Sequence, residues 1–221
     1  MPLRNNCFIA LVMRCAFLLA IACPAADARD WTPISRERAL EQTRSTQLDE
    51  RRMAYGRLAE VGTMDDVPVL LAALWDDEEL IRGIAEQSIW GIWLRANDPV
   101  ADPLFQTGMQ LIVENEPDAA IEKLNQVVEL KPDFAEAWNR RGDAYSALGD
   151  EDRALADYEH ALALNPYQFG TLAACADIWM SRSNYRKAAE YFRRAIDLNP
   201  NLTGAAAALR ALEKKLENDR I

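Results

Sequence analysis

Along the second half of the chain, apolar or small residues recur at helical spacing in three sets: Leu104, Gly108, Leu111; Trp138, Gly142, Tyr145; and Leu172, Ala176, Trp179. Positions i, i+4 and i+7 share one face of a helix, so each set predicts one amphipathic helix. The sets are offset from one another by 34 residues, and Pro132, Pro166 and Pro200 repeat with the same period. Each copy continues into a second helix, through Ala120, Leu124 and Val127, through Ala154, Tyr158 and Ala161, and through Ala188, Phe192 and Ala195. Small residues set against large ones let two antiparallel helices approach closely without voids. Leu130-Lys131-Pro132, Leu164-Asn165-Pro166 and Leu198-Asn199-Pro200 end the second helices, because proline lacks the amide hydrogen and disfavours helix in the residue before it. Between the paired helices stand Asn115, Gly149 and Ser183, residues suited to a helix exit or entry. The pattern predicts an all-α chain: a solenoid of three helix pairs at 101–134, 135–168 and 169–202. A one-sided helix over 203–221, with Ala205, Leu209, Leu212 and Leu216 on its apolar stripe, would cap it.

This spacing resembles the tetratricopeptide (TPR) repeat, most fully in the middle copy, where Trp138, Gly142, Tyr145, Ala154, Tyr158, Ala161 and Pro166 fill the signature. The resemblance implies that the first helix of each pair lines a concave, partner-binding face through its second, fifth, sixth, ninth, twelfth and thirteenth positions. The residues it singles out for partner contact are Phe105, Met109, Asn139, Arg140, Asp143 and Asp177. Phe105, Met109, Ile112 and Met180 suit an apolar side chain or helix face. Asp143 and Asp177, at equivalent positions of neighbouring copies, suit a partner's lysine or arginine. The carboxylate clamp of one TPR class is not matched, since Phe105, Met109, Gly170 and Ala174 stand at its charged and amide positions. An alternative stays open: Phe105, Ile112 and Val113 pack against the preceding segment and close the apolar end of the groove.

That preceding segment, 48–96, carries a weaker pattern. Arg51-Arg52-Met53-Ala54 is echoed by Arg82-Gly83-Ile84-Ala85, Leu58 by Ile89, and Val61 by Ile92, around a short helix at 67–74. It resembles a HEAT-type repeat of the lyase-associated variety; an unclassified helical hairpin is the other reading. Pro99 and Pro103 make the joint short and stiff, which predicts that the two parts stack as one continuous solenoid. Residues 29–47 form a polar segment, with a helix expected from about Ser35.

The first 28 residues read as an export signal: Arg4 and Arg14, an apolar run at 15–23, Pro24, then Ala26-Asp27-Ala28 as a cleavage site. Lipid anchoring through Cys23 is the alternative, and Arg14 argues against a permanent span. Cleavage after Ala28 leaves 23 basic and 34 acidic side chains, a net charge of −11. That balance disfavours nucleic acid and anionic membrane as partners, because both require concentrated positive charge. Cys175 is then the one remaining cysteine, so no disulfide staples the fold, and its position reads as a small buried hydrophobe. His160, the one histidine in the chain, falls on a surface position. No nucleophile–base arrangement, metal-ligand cluster or phosphate loop can be assembled, so neither an enzyme nor a cofactor or metal protein is expected. The sequence therefore points to an exported, periplasmic or secreted scaffold that binds a protein or peptide. A structural subunit of a fixed assembly, or a homo-oligomer without a free groove, is the alternative.

Overall fold

The computed structural model describes residues 33–218, so the export signal and its alternatives lie outside the described residues. Those residues form eleven α-helices, one 3-10 turn and no strand. The first four helices are α1 (Arg36–Gln42), α2 (Leu48–Val61), α3 (Val67–Ala73) and α4 (Glu79–Trp93). Three pairs follow: α5 (Ala101–Val113) with α6 (Pro117–Leu130), α7 (Ala135–Ala147) with α8 (Glu151–Leu164), and α9 (Phe169–Ser181) with α10 (Tyr185–Leu198). The last helix is α11 (Thr203–Asn218).

The helix ends explain the 34-residue period. Asn115, Gly149 and Ser183 all adopt positive φ, at 62°, 76° and 57°. At each one the chain leaves the first helix through the same pair of bonds. The amides of Asn115, Gly149 and Ser183 donate to Ile112, Ser146 and Met180, and the next amides, of Glu116, Asp150 and Asn184, donate to Leu111, Tyr145 and Trp179. This is a Schellman closure, which satisfies the carbonyls that a helix end leaves orphaned. The second helix then starts on a local cap: the Asp150 and Asn184 side chains accept from the amides of Arg153 and Lys187, and Pro117 opens α6. It stops at Lys131, Asn165 and Asn199, each non-helical ahead of its proline, with Asn165 and Asn199 extended.

Inside each pair the small position meets the large one. A Cβ built on Gly108 would lie 2.9 Å from Leu124, and one on Gly142 would lie 2.6 Å from the Tyr158 ring. Arg141 closes the α7–α8 pair with a bidentate bridge and also ties it to the pair before. The Arg141 guanidinium donates to both Asp157 oxygens at 2.7 and 2.8 Å, and also to Asn125 of α6 at 2.8 Å. Leu212 of α11 is buried against the third pair, together with the half-buried Ala205, Leu209 and Leu216.

The expectation of one solenoid running on in sequence order is corrected here. The N-terminal helices turn back across the first-helix face and reach the second and third pairs. Trp90 and Trp93 of α4 meet at 5.2 Å, and both pack on Phe169, at 5.7 and 5.2 Å between ring centroids. Phe169 is 1% exposed and belongs to the core of the N-terminal helices although it begins α9. Two polar contacts hold the same seam: Asn199 donates to Glu86 at 3.3 Å, and Asn201 donates to the Leu74 carbonyl at 3.0 Å. The cause is side-chain size: Phe169 stands where the other pairs carry Ala101 and Ala135, and it supplies an apolar surface that two tryptophans can cover.

Candidate functional site

The face built by α5, α7 and α9 divides into a closed half and an open half. Its closed half follows from the aromatic wedge. Gly170 lies against Trp90 with room for a Cβ at 3.5 Å, and the Arg140 guanidinium sits over the Trp90 ring at 5.7 Å. Beneath it runs a buried polar network that joins α7 to α9. Glu136 is 1% exposed, and its carboxylate accepts from Arg140 at 2.6 Å, from Gln168 at 2.6 Å and from Asn139 at 3.2 Å. The Thr171 hydroxyl donates to the Asn139 carbonyl oxygen at 2.8 Å. Burial pushes the Glu136 carboxyl up to about 7, because the loss of water outweighs the attraction of Arg140 and the amide donor of Asn139.

Two residues expected to touch a partner are thereby withdrawn. Phe105 is fully buried, edge-to-face on Phe134 at 4.9 Å, because its ring turns inward among Ala101, Leu124 and Phe134. Asn139 is 5% exposed, with its amide spent on Glu136 and Thr171. Arg140 and Asp143 are half-buried and bonded to each other at 2.8 Å, and Asp143 also accepts from the Tyr158 hydroxyl at 2.9 Å. Both are occupied within the chain. Met109 is half-buried against the first pair's core. Asp177 alone of the six is exposed with no hydrogen bond or ion pair among the described residues. The structure brings Arg140 and Asp143 together with Glu136, and leaves Asp177 apart from them.

The open half lies toward the C-terminal ends of the same helices. Val113 is 80% exposed and Met180 37%, and Ser146, Ala147 and Ser181 are exposed between them. Partial desolvation raises the carboxyl of Asp177 from its ordinary range, and among the described residues no ion pair counters that. An exposed carboxylate with Met180 one turn along the same helix suits a cationic group carried on an apolar segment.

A cleft of about 670 Å3 opens in the seam between the 60–65 turn, the end of α4 and the 131–136 turn. Its two lining cations are already engaged. Arg95 donates to the carbonyls of Ala59, Glu60 and Gly62, and Lys131 pairs with Asp133 at 3.4 Å. Among the described residues no three His, Cys, Asp or Glu side chains are grouped to hold a metal, and no helix is long and apolar enough to cross a membrane. Cys175 is buried, which pushes its thiol up to about 12 and leaves it protonated and unreactive. His160 is exposed and stacks on Trp138 at 4.0 Å.

The Phe169–tryptophan wedge and the Glu136 network are the features that sequence reasoning missed. A signal was present for the first: Phe169 breaks the small-residue pattern set by Ala101 and Ala135. For the network, a glutamate at a helix start reads as solvated until the neighbouring chain covers it.

Comparison with known proteins follows the same architecture. Residues 135–168 match the tetratricopeptide repeat model, as do residues 177–202 under a second model of that name, and residues 114–149 match a TPR repeat model. A TPR repeat-containing protein of Rhizobium etli is 30% identical over 128 residues, covering 58% of this chain and 63% of its own length. Among solved structures, the first TPR of Spaghetti bound to an HSP90 peptide superposes with a TM-score of 0.51 at 22% identity, over 53% of this chain and 93% of that one. The Sgt2 TPR domain from Aspergillus fumigatus gives 0.51 at 22%, over 56% and 83%. A crystal structure of the MamA protein gives 0.50 at 20%, over 68% and 83%. At these identities the likeness is one of fold. The chain carries three tetratricopeptide repeats.

Proposed function

We propose that this protein is an exported, non-enzymatic interaction scaffold. Its partner is a protein or peptide seated on the open half of the face built by α5, α7 and α9. TPR proteins commonly mediate protein–protein interactions, and the Spaghetti repeat was solved with a peptide bound. The observation that carries the reading is the contrast along one face. The wedge of Trp90 and Trp93 fills the half near Phe169, while Asp177 stays unpaired beside Met180 in the other. A partner segment placing a lysine or arginine on Asp177 and an apolar side chain on Met180 would use what this chain leaves unused. The carboxylate clamp has no counterpart in this half.

Affinity co-purification from the cell envelope tests the reading. The wild type is compared with an Asp177→Arg, Met180→Glu double variant and with His160→Ala on an exposed position elsewhere. The expected outcome is a partner kept by the wild type and His160→Ala and lost from the double variant. Retention by all three would move the interface off this face. Export is carried by the charged and apolar pattern of residues 1–28. Sequencing the mature N-terminus checks it: Arg29 as first residue is expected, a lipid-modified Cys23 would establish anchoring, and an intact Met1 would overturn both.

A further inference from the structure

Charge is divided unevenly along the fold. Residues 34–181 hold 13 basic and 28 acidic side chains, whereas residues 182–215 hold 8 basic and 3 acidic. The division recurs at equivalent positions of the repeat: Glu114 and Asp118 of the first pair are replaced by Arg182 and Arg186 in the third, two periods later. At the N-cap of α6 and along the helix, the exposed Glu116, Asp118, Glu122 and Glu129 form no ion pair among the described residues. At the other end Arg186, Arg210 and Lys214 are exposed without a partner among the described residues. Arg193 ties their helices into one surface by holding Glu213 of α11 at 2.6 Å. Residues 186 and 193 share a face of α10 with the exposed Glu190 and Asp197, and 210 and 214 share a face of α11, so the patch is net basic but carries those two carboxylates.

We propose that copies of this chain associate head to tail, with the basic outer face of α10–α11 of one copy seated on the acidic outer face of α6 in the next. The two patches differ, so the contact is heterologous; it propagates as a filament, or closes into a ring where the rotation allows. Like-charged ends repel, which excludes head-to-head and tail-to-tail pairing and fixes the polarity of the assembly. A repeat array suits this, since its ends carry the charges while the open face near Asp177 stays free along the row.

Sedimentation velocity on the mature chain, over a wide concentration range at low and high salt, provides the test. Wild type is expected to form species larger than a monomer at low salt and to dissociate at high salt, where the screening length shrinks to about 3 Å at 1 M. Two variants are chosen in exposed positions that keep helix propensity. Asp118→Arg, Glu122→Arg and Glu129→Arg together make both ends basic, and Arg186→Glu with Arg210→Glu makes both acidic. Each alone should associate at least about tenfold more weakly than wild type. Mixed in equal amounts, they should recover complexes containing both. Circular dichroism melts confirm that each variant is folded. A wild type that stays monomeric at low salt overturns the proposal. So does association that both variants retain, or a mixture that stays dissociated while each variant is folded.

Discussion

The Trp90 ring meets Phe169 edge-to-face, 5.7 Å between centroids and 82° between planes, although the two residues lie on opposite sides of the joint between the N-terminal helices and the repeats. Phe169 is therefore the residue through which the third repeat holds the N-terminal helices. Phe169→Ala removes a fully buried ring from between two tryptophans and should cost about 3–5 kcal/mol. Urea denaturation measures the loss. Hydrogen exchange should also rise in α4 and in the 199–201 turn more than in α7 and α8. Uniform loosening would show that the wedge is not a local clasp.

Glu136 gives the seam a pH dependence with a definite sign. Its folded carboxyl titrates near 7 and an unfolded one near 4.5, so between these values the folded chain binds more protons. This group therefore adds stability as pH falls from 7 to 4.5 and withdraws it as pH rises through 7, by about 3 kcal/mol in total. Thermal melts from pH 5 to pH 8 should show that slope, and Glu136→Gln should flatten it. Unchanged slopes in the two proteins would mean that Arg140, Gln168 and Asn139 keep the carboxylate ionised throughout.

The repeat itself was legible because its determinants are local. Proline at each second-helix end, a left-handed residue at 115, 149 and 183, and small-against-large pairing such as Gly142 on Tyr158 all act within one 34-residue unit. The seam was not legible in the same way. The contacts of Asn199 with Glu86 and of Asn201 with the Leu74 carbonyl join residues more than a hundred positions apart, and no periodicity encodes them. The family pattern placed Asn139 and Phe105 on a binding face. Burial under neighbouring elements decides whether such positions can meet a partner, and burial is a property of the assembled chain.

Two glycines on the first helices should respond oppositely to the same substitution. Gly142→Ala drives a Cβ to 2.6 Å from the Tyr158 ring, which itself is fixed by the Asp143 hydrogen bond, so the pair must separate. A loss of about 1–3 kcal/mol is expected in chemical denaturation. Gly170→Ala meets Trp90 at an ordinary 3.5 Å and gains helix propensity, so it should be neutral or stabilising by up to about 1 kcal/mol. Equal costs at the two sites would contradict the close packing assigned to Gly142.

The three inter-helix turns use one backbone geometry with three different residues, and that sets up the last comparison. Ser183 holds φ at 57° where Gly149 holds 76°, and a serine Cβ is strained in that region while glycine is not. Ser183→Gly keeps the amide bonds to Met180 and Trp179, because both the Ser183 and Asn184 amides remain. It relieves the strain and loses only the entropy that glycine gives the unfolded chain. A net gain of about 0.5–1 kcal/mol is expected. Gly149→Ala should lose a similar amount, since nothing within 4 Å crowds its Cβ and the backbone angle alone is at issue. Differential scanning calorimetry of the two variants beside wild type reads both shifts. A fall in melting temperature for Ser183→Gly would mean that unfolded-chain entropy outweighs the relief of the left-handed turn.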